Sequence, residues 1–241
     1  MLFRSGASDE VPELVHALPW GVREQLMQEK QALGFFLSGH LFDEASAEVR
    51  QFAKTTLDGL VDSRDPVLVA GIVSDVRVIN GQRGKLIIFR LDDKTKSLDA
   101  SVDEGLFNAN KETLKDDELV ILQVVPQPDR MSGGLRLKVQ RIWNLAQARC
   151  RFGKYLRVEV RDRMPNLPQL VEQYPPKREW AEEGERIRGL KVVLHVVRDQ
   201  AEADIELDER AMFYPSEAAL QGWLSQAHGQ EAKVIYGSAQ N

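Results

Sequence analysis

The chain has 241 residues, of which 43% are hydrophobic and 29% are charged. These proportions are typical of a globular protein of one large or two small domains, and they exclude an intrinsically disordered chain. No apolar run is long enough to cross a bilayer and no secretory leader opens the chain, so we expect no membrane partner and a cytoplasmic location. The single cysteine, Cys150, can form neither an internal disulfide nor a thiolate metal cage, which favours a reducing compartment.

Positive charge is concentrated in two windows, although the formal net charge of the chain is -5. Residues 77–96 carry six basic and two acidic side chains, net +4, and residues 130–151 carry six basic and no acidic ones, net +6. The rest of the chain must therefore carry -15. Because a phosphate responds to charge within a Debye length of roughly 8 Å, clustering matters more than the total. The windows indicate a nucleic-acid contact, unless they are only the solvated outer faces of strands.

The first quarter of the chain, residues 1–61, is predicted to be a leader and a helical linker. Residues 1 to about 18 mix Gly, Ser, Asp, Glu and Pro without periodicity, which predicts a flexible segment. Leucines at helical spacing then predict a helix that begins near Trp20 and ends near Gly39. A second short helix is predicted over residues 44–52.

A change of pattern near Pro66 predicts five strands, over residues 67–79, 85–91, 97–102, 119–125 and 135–140. A helix is predicted over residues 103–115, between the third and fourth strands. Five strands with one helix in that place is the element order of the OB-fold, so residues 62–145 are predicted to form such a barrel. Another small barrel or an antiparallel sandwich is the alternative, but either would need more strands than this window supplies.

The last part, residues 146–241, is predicted to be a small α+β domain. After a linker helix over residues 144–152, the patterns predict strands and helices over residues 155–161 (strand), 167–174 (helix), 192–197 (strand), 205–207 (strand), 216–228 (helix) and 233–236 (strand). The order β-α-β-β-α-β is that of a ferredoxin-like domain. The fold class is therefore α+β and mostly β: an OB barrel followed by a ferredoxin-like domain, with a helical linker before both.

Residues that could carry catalysis are scarce and scattered. The four histidines lie far apart, without the spacing of metal ligands, and His195 sits inside an apolar strand where a structural role is favoured. The pair Asp92-Asp93 resembles a metal-binding carboxylate pair, but adjacent strand residues point to opposite faces and Asp is a common turn residue. No P-loop, GxSxG or GxGxxG motif is present. We expect no active site, metal or cofactor in this segment.

Binding chemistry is better supported. On an OB barrel, single strands lie across the second and third strands, flanked by the connections before the second and after the fourth. The candidate contacts on these elements are Arg77, Gln82, Arg83, Lys85, Arg90, Arg130, Arg136 and Lys138. Phe89 is the one aromatic on the second strand that could stack on a base, although its alternation with Ile87 and Leu91 favours a place in the core. With so few aromatics, we expect binding to be mainly electrostatic and weak.

The segment Glu29–His40, EKQALGFFLSGH, is the most specific motif in the chain. It resembles the Glu-basic-x-x-Leu-Gly-aromatic-x-Leu-Ser/Thr-Gly-His signature of the bacterial DNA polymerase III alpha subunit. The resemblance continues through LDDKTKSLDASV (Leu91–Val102) and SGGLRLKV (Ser132–Val139) and weakens after Arg151. It implies the C-terminal region of a DNA-directed DNA polymerase, a nucleotidyltransferase whose catalytic residues precede this segment.

The resemblance also implies partners in chromosomal DNA replication. The OB domain of the family meets single-stranded template DNA, and the C-terminal domain binds the tau subunit of the clamp loader. A sliding-clamp motif, Gln-x-x-Leu/Met-Phe, precedes the signature in the family; Leu2 and Phe3 match only its end. In the tail, Trp223 and Tyr236 are candidates for partner contact, unless Trp223 packs on the small sheet. An OB-fold RNA-binding adaptor and a purely structural assembly module remain open as alternatives.

Overall fold

The computed structural model describes residues 20–81, 84–129, 133–161, 163–181, 184–227 and 231–237. The chain divides into one unit of residues Met1–His40 and a second of residues Leu41–Asn241. Within the described ranges, no helix is long and apolar enough to cross a membrane.

In the first unit, the helix α1 (Val22–Leu33) is followed by an ordered turn. Gly34 takes the left-handed conformation with φ of 86°, and its N–H donates to the carbonyl of Lys30. The carboxylate of Glu29 then accepts hydrogen bonds from the N–H groups of Leu37 and Ser38, both at 2.8 Å. The helix therefore ends at Leu33 rather than near Gly39, because Gly34 reverses the chain and Glu29 holds the segment that follows.

The second unit begins with the short helix α2 (Asp43–Val49) and continues into a closed barrel of five strands. The strands are β1 (Val67–Gly81), β2 (Gly84–Asp92), β3 (Ser97–Asp103), β4 (Leu119–Pro128) and β5 (Leu135–Trp143). They close in the order β1-β2-β3-β5-β4. All neighbouring pairs are antiparallel except β3 and β5, which are parallel and joined at only two residue pairs. The helix α3 (Glu104–Ala109) follows β3, as predicted, but is shorter than the predicted range.

Alternation of side chains builds the barrel core. Ile87, Phe89 and Leu91 on β2 point inward, as do Leu98, Ala100 and Val102 on β3, and all six are buried. β1 is irregular in its middle: its pairing with β2 shifts register between Ser74 and Arg77, where Asp75 has φ of 63°. At Gly71, an added Cβ would lie 2.7 Å from the carbonyl oxygen of Asp92, so only glycine allows β1 to pass this close to β2.

The tail follows the helix α4 (Leu145–Phe152), which starts at a capping box between Asn144 and Gln147. Its elements are β6 (Gly153–Val160), α5 (Leu167–Gln173), β7 (Lys177–Ala181), β8 (Gly184–Arg188), β9 (Lys191–Arg198), β10 (Ala201–Glu206), α6 (Glu217–Gln226) and β11 (Ala232–Tyr236). Four strands form one sheet in the order β10-β9-β6-β11, and β7 pairs only with β8. Its core includes Leu156, Leu194, Phe213 and Trp223.

The tail follows the predicted order β-α-β-β-α-β but departs from the ferredoxin-like arrangement in two ways. β6 and β9 are direct parallel neighbours, whereas a split βαβ unit places another strand between its two parallel strands. A hairpin, β7–β8, is inserted between α5 and β9. Its sequence is rich in charge and bounded by prolines and a glycine, and the sequence patterns predicted no strand there.

A buried arginine ties the linker helix to the tail. Arg149 on α4 is 3% exposed. Its Nε and Nη2 donate to the two carboxylate oxygens of Glu48 on α2, both at 2.7 Å, and its Nη1 donates to Glu217 on α6 at 2.8 Å. The hydroxyl of Tyr236 on β11 also donates to Glu48. Burial alone would raise the pKa of Glu48, but the hydrogen bonds and charge of Arg149 outweigh burial and lower it.

Candidate nucleic-acid interface

Four neighbouring strands contribute one row of residues to the outside of the barrel. Arg77 on β1 pairs with Ile88 on β2, Ile88 with Ser101 on β3, and Ser101 with Lys138 on β5. Most residues that flank the row in sequence face the core, so the row lies on the opposite, outer side of the sheet. Arg77 and Lys138 are exposed there, whereas Ile88 is buried at 8% exposure. The outer face of β1, β2, β3 and β5 therefore has a cation at each end of the row and a hydroxyl within it.

Two more predicted cations lie beside this row. Arg90, two residues after Ile88, lies opposite Asp99 on β3, with 3.5 Å between Nε and Oδ1. Arg136, two residues before Lys138, lies 3.5 Å from Asp129. Its Nε is buried and has no hydrogen-bond partner among the atoms of the described residues. The outer face thus brings together Arg77, Arg90, Arg136 and Lys138.

Carboxylates lie close to most of these cations, which the two charge windows did not reveal. Lys85 pairs with Glu104 at 3.1 Å and Arg77 lies 3.7 Å from Asp75, in addition to the pairs with Asp99 and Asp129. In the described part of the chain, Lys138 has no carboxylate within 4 Å. The exposed pairs of Lys85, Arg77 and Arg90 contribute only about 0–1 kcal/mol each, so a phosphate can compete for these cations. The pair of Arg136 with Asp129 is partly buried. The face is nevertheless less positive than the windows suggested.

Arg149 also belongs to the second basic window, yet its charge is unavailable to a ligand. It is buried between Glu48 and Glu217 and makes its hydrogen bonds inside the protein. The window of residues 130–151 therefore overstates the positive charge at the surface.

Phe89 cannot serve as the predicted stacking platform. Its side chain is 0% exposed and packs inside the barrel with Ile87 and Leu91, so the core alternative is correct. The outer face instead exposes two aliphatic side chains, Ile79 on β1 at 47% and Leu86 on β2 at 38%, which are paired across the two strands. Sequence reasoning missed them because aliphatic residues in a strand are normally assigned to the core.

The two residues of the tail that were predicted to contact partners are buried or half-buried. Trp223 is 0% exposed and packs against the ring of Phe213, with 5.6 Å between ring centroids, so it cannot touch a partner. Tyr236 is half-buried and its hydroxyl is bound to Glu48. Burial and the charge of Glu48 raise the pKa of Tyr236. Of the other predicted site residues, Gln82, Arg83, Arg130, Leu2 and Phe3 lie outside the described residues.

The Asp92-Asp93 pair lies at a turn and has a structural role. The Asp93 carboxylate accepts hydrogen bonds from Leu57 N–H at 3.0 Å and Thr95 Oγ1 at 2.6 Å, and pairs with Arg50 at 2.7 Å. Burial alone would raise the pKa of Asp93, but these hydrogen bonds, first among them that from Thr95, lower it. Asp92 accepts from the N–H of Lys94. Among the described residues, no group of three or more His, Cys, Asp or Glu side chains is arranged to hold a metal ion.

The chain resembles known proteins in sequence, both over the barrel and over a longer range. Residues 67–145 match the family described as an OB-fold nucleic acid binding domain. The barrel is an OB fold. The DNA polymerase III subunit alpha of Pseudomonas aeruginosa is 36% identical over 140 residues, which are 58% of this chain and 12% of that protein. The corresponding subunit of Vibrio cholerae is 24% identical over 218 residues, 89% of this chain and 18% of that protein. The resemblance to DNA polymerase III alpha subunits, predicted from the signature, is confirmed.

The chain spans less than a fifth of the length of these alpha subunits. Such coverage accords with the predicted non-catalytic segment of a DNA polymerase. Among solved structures, the second OB-fold domain of replication protein A from Methanococcus maripaludis aligns with a TM-score of 0.30 and 14% identity, over 38% of this chain and 93% of that one. A TM-score this low adds no weight to the assignment.

Proposed function

We propose that this chain is the DNA-binding, non-catalytic segment of a replicative DNA polymerase alpha subunit, and that the outer face of its OB barrel holds single-stranded DNA. The row Arg77–Ile88–Ser101–Lys138 is the observation that carries the proposal. It crosses the second and third strands, the surface on which OB folds bind single strands. The similarity to alpha subunits supplies the context of replication.

The four cations act by neutralising phosphates. Arg77 and Arg90 approach the DNA from β1 and β2, and Arg136 and Lys138 approach it from β5. Phosphates displace the carboxylates beside Arg77 and Arg90, since these exposed pairs are weak. The pair of Arg136 with Asp129 is more covered, with side chains 31% and 11% exposed. Four contacts predict a slope of about -0.7 × 4, close to -3, for log affinity against log salt.

The bases meet an aliphatic surface rather than an aromatic one. Ile79 and Leu86 provide apolar contact beside the row. With Phe89 in the core, the described outer residues of β2 and β3 offer no ring for stacking, an interaction worth about 1–3 kcal/mol per base. The proposed binding is therefore weak, indifferent to base sequence and strongly dependent on salt.

Fluorescence anisotropy with labelled oligo-dT tests the proposal. The variant Arg77→Glu/Lys138→Glu should lower affinity at least tenfold at low salt, while the matched variant Arg210→Glu/Lys233→Glu should lower it far less. Arg210 and Lys233 are exposed and lie outside the barrel. Equal affinity of both variants would refute the DNA-binding face. Structured RNA that competes better than oligo-dT would instead favour an RNA-binding adaptor.

We further propose that residues 146–241 form a separate domain that docks the tau subunit, and that Leu2 and Phe3 contribute to sliding-clamp binding. Because Trp223 is in the core, the surface for tau must use exposed side chains such as Ile205 on β10 and Leu224 on α6. In a pull-down with the intact chain, Ile205→Asp/Leu224→Asp should lose tau, and Leu2→Ala/Phe3→Ala should lose the clamp alone. Retention of tau by the first variant would rule out that surface.

A further inference from the structure

A basic cleft of about 740 Å³ lies outside the interface proposed above. Its walls come from α3, the end of β5, α4 and the hairpin β7–β8. The described residues that line it include four arginines and one carboxylate, which together carry a net charge of +3: Arg141, Arg151, Arg186, Arg188 and Glu179. A concave surface with several guanidinium groups fits phosphate, whose oxygens the planar guanidinium binds in pairs.

Three separate elements position these charges. Arg141 lies near the end of β5, three residues beyond Lys138. Arg151 lies in the last turn of α4. Arg188 on β8 pairs with the one carboxylate among the described lining residues, since its Nε lies 2.8 Å from Oε2 of Glu179 on the paired strand. The cleft therefore has further positive charge from Arg141 and Arg151, which lie on the other two elements.

Arg141 and Arg151 have a further distinction. Both also line a second cavity of about 260 Å³, whose other residues include Gln123 and Phe152. The two arginines thus stand where the two cavities meet. Neither forms an ion pair or a side-chain hydrogen bond with any residue in the described ranges. Their guanidinium groups are available to a ligand that passes from one cavity to the other.

We propose that this cleft is a second contact for the DNA backbone, which continues from the barrel face along β5 and over Arg141 and Arg151 toward β8. The inference rests on the proposed function, because the same strand must first lie on the outer face. Three residues of a β-strand span about 10 Å, so a strand that contacts Lys138 can continue to Arg141. The cleft would guide DNA away from the barrel toward the tail.

Oligonucleotide length separates the two sites. One OB fold covers roughly 4–16 nucleotides. We would measure binding of a short oligo-dT within that range and of a long one well beyond it, using the intact chain and three charge-neutralised variants. These are Arg141→Gln/Arg151→Gln in the cleft, Arg77→Gln/Lys138→Gln on the barrel, and Arg210→Gln/Lys233→Gln as a control that lines neither cavity. Circular dichroism checks that each variant is folded.

The cleft variant should bind the short oligonucleotide like the unmodified chain but the long one several-fold more weakly, with a salt slope shallower by about 1.4 for two lost contacts. The barrel variant should lose affinity for both lengths. A cleft variant that matches the control at both lengths would overturn this inference and leave the barrel proposal standing. An unmodified chain that binds neither oligonucleotide would overturn both. Polyglutamate bound more tightly than oligo-dT would assign the cleft to an acidic protein and overturn the inference.

Cys150 gives a readout inside the cleft itself. It lines the cavity and is the only cysteine of the chain. Burial raises the pKa of its thiol to about 11, so alkylation is best followed in alkaline buffer. Saturating long oligo-dT should slow alkylation several-fold in the unmodified chain and not in Arg141→Gln/Arg151→Gln. An unchanged rate in the unmodified chain would place the DNA elsewhere.

Discussion

Arginine–carboxylate pairs occur in two regions of this protein with opposite consequences. On the outer face of the barrel, Arg90 and Asp99 are exposed at 51% and 32% and lie 3.5 Å apart. At the junction of α2, α4 and α6, Arg149 is 3% exposed and makes two bonds of 2.7 Å to Glu48. The exposed pair is weak and leaves the arginine open to a competing phosphate, whereas the buried pair is part of the structure. Burial, rather than the presence of a partner, decides which arginine can bind a ligand.

The largest expected effect is at the buried junction. Arg149→Ala leaves Glu48 without its charged partner and should lower the free energy of unfolding by about 3–5 kcal/mol, measured by urea denaturation. Arg90→Ala is the matched control and should change stability by less than about 1 kcal/mol. If the two substitutions cost the same, the contrast between the regions does not exist.

The turn around Asp93 is an intermediate case, because its partner Arg50 is 25% exposed while Asp93 itself is fully covered. Asp93→Ala removes a charged acceptor shared by Thr95, Leu57 and Arg50, and should cost about 2–3 kcal/mol. The folded pKa of Asp93 is lowered, so its contribution is present above the ordinary pKa of about 4 and disappears as the pH falls below that value. Denaturation at pH 7 and pH 3 should therefore show a larger penalty at pH 7. A penalty independent of pH would contradict this assignment.

A smaller effect is expected on the outer face of the barrel, where the substitution should raise affinity for DNA instead of lowering stability. Asp99→Asn removes the carboxylate that competes with phosphate for Arg90, so affinity for oligo-dT should rise about two- to fivefold at low salt. Stability should change by less than about 1 kcal/mol. Weaker binding by this variant would mean that Asp99 orients Arg90 for the DNA instead of competing with it.

The smallest effect on stability is expected at Glu29, which is half-buried and accepts backbone hydrogen bonds from Leu37 and Ser38. Hydrogen bonds from Ser38 lower its pKa to about 2. Its stabilising contribution should thus be complete above the ordinary pKa of about 4 and be lost as the pH falls toward 2. Carboxyl NMR shifts should follow this titration, and a pKa near 4 would show that the turn is not held in solution.

The barrel was predictable because its strands alternate and its turns carry Asn, Asp and Gly, so local sequence specifies both strand boundaries and inward faces. The partners of the cations were not predictable in the same way. Asp99 lies nine residues from Arg90 in sequence, and Glu48 lies 101 residues from Arg149. A charge window sums the charges of residues that are neighbours in sequence, whereas Coulomb interactions depend on distance in space. The cleft beside the hairpin β7–β8 was missed for the same reason, since it exists only after four elements pack together.

The parallel seam between β3 and β5 couples DNA binding on the outer face to the stability of the closed barrel. Only Ala100–Leu137 and Ser101–Lys138 are paired there, and the hydroxyl of Ser101 donates to the carbonyl of Leu137 at 3.3 Å. Two of the residues proposed to meet DNA lie on opposite sides of this seam, Ser101 on β3 and Lys138 on β5. A ligand that spans both sides holds the strands together, because binding to the closed form alone favours that form by mass action. Amide hydrogen exchange along the seam should therefore slow when DNA binds, because the bound DNA stabilises the closed barrel.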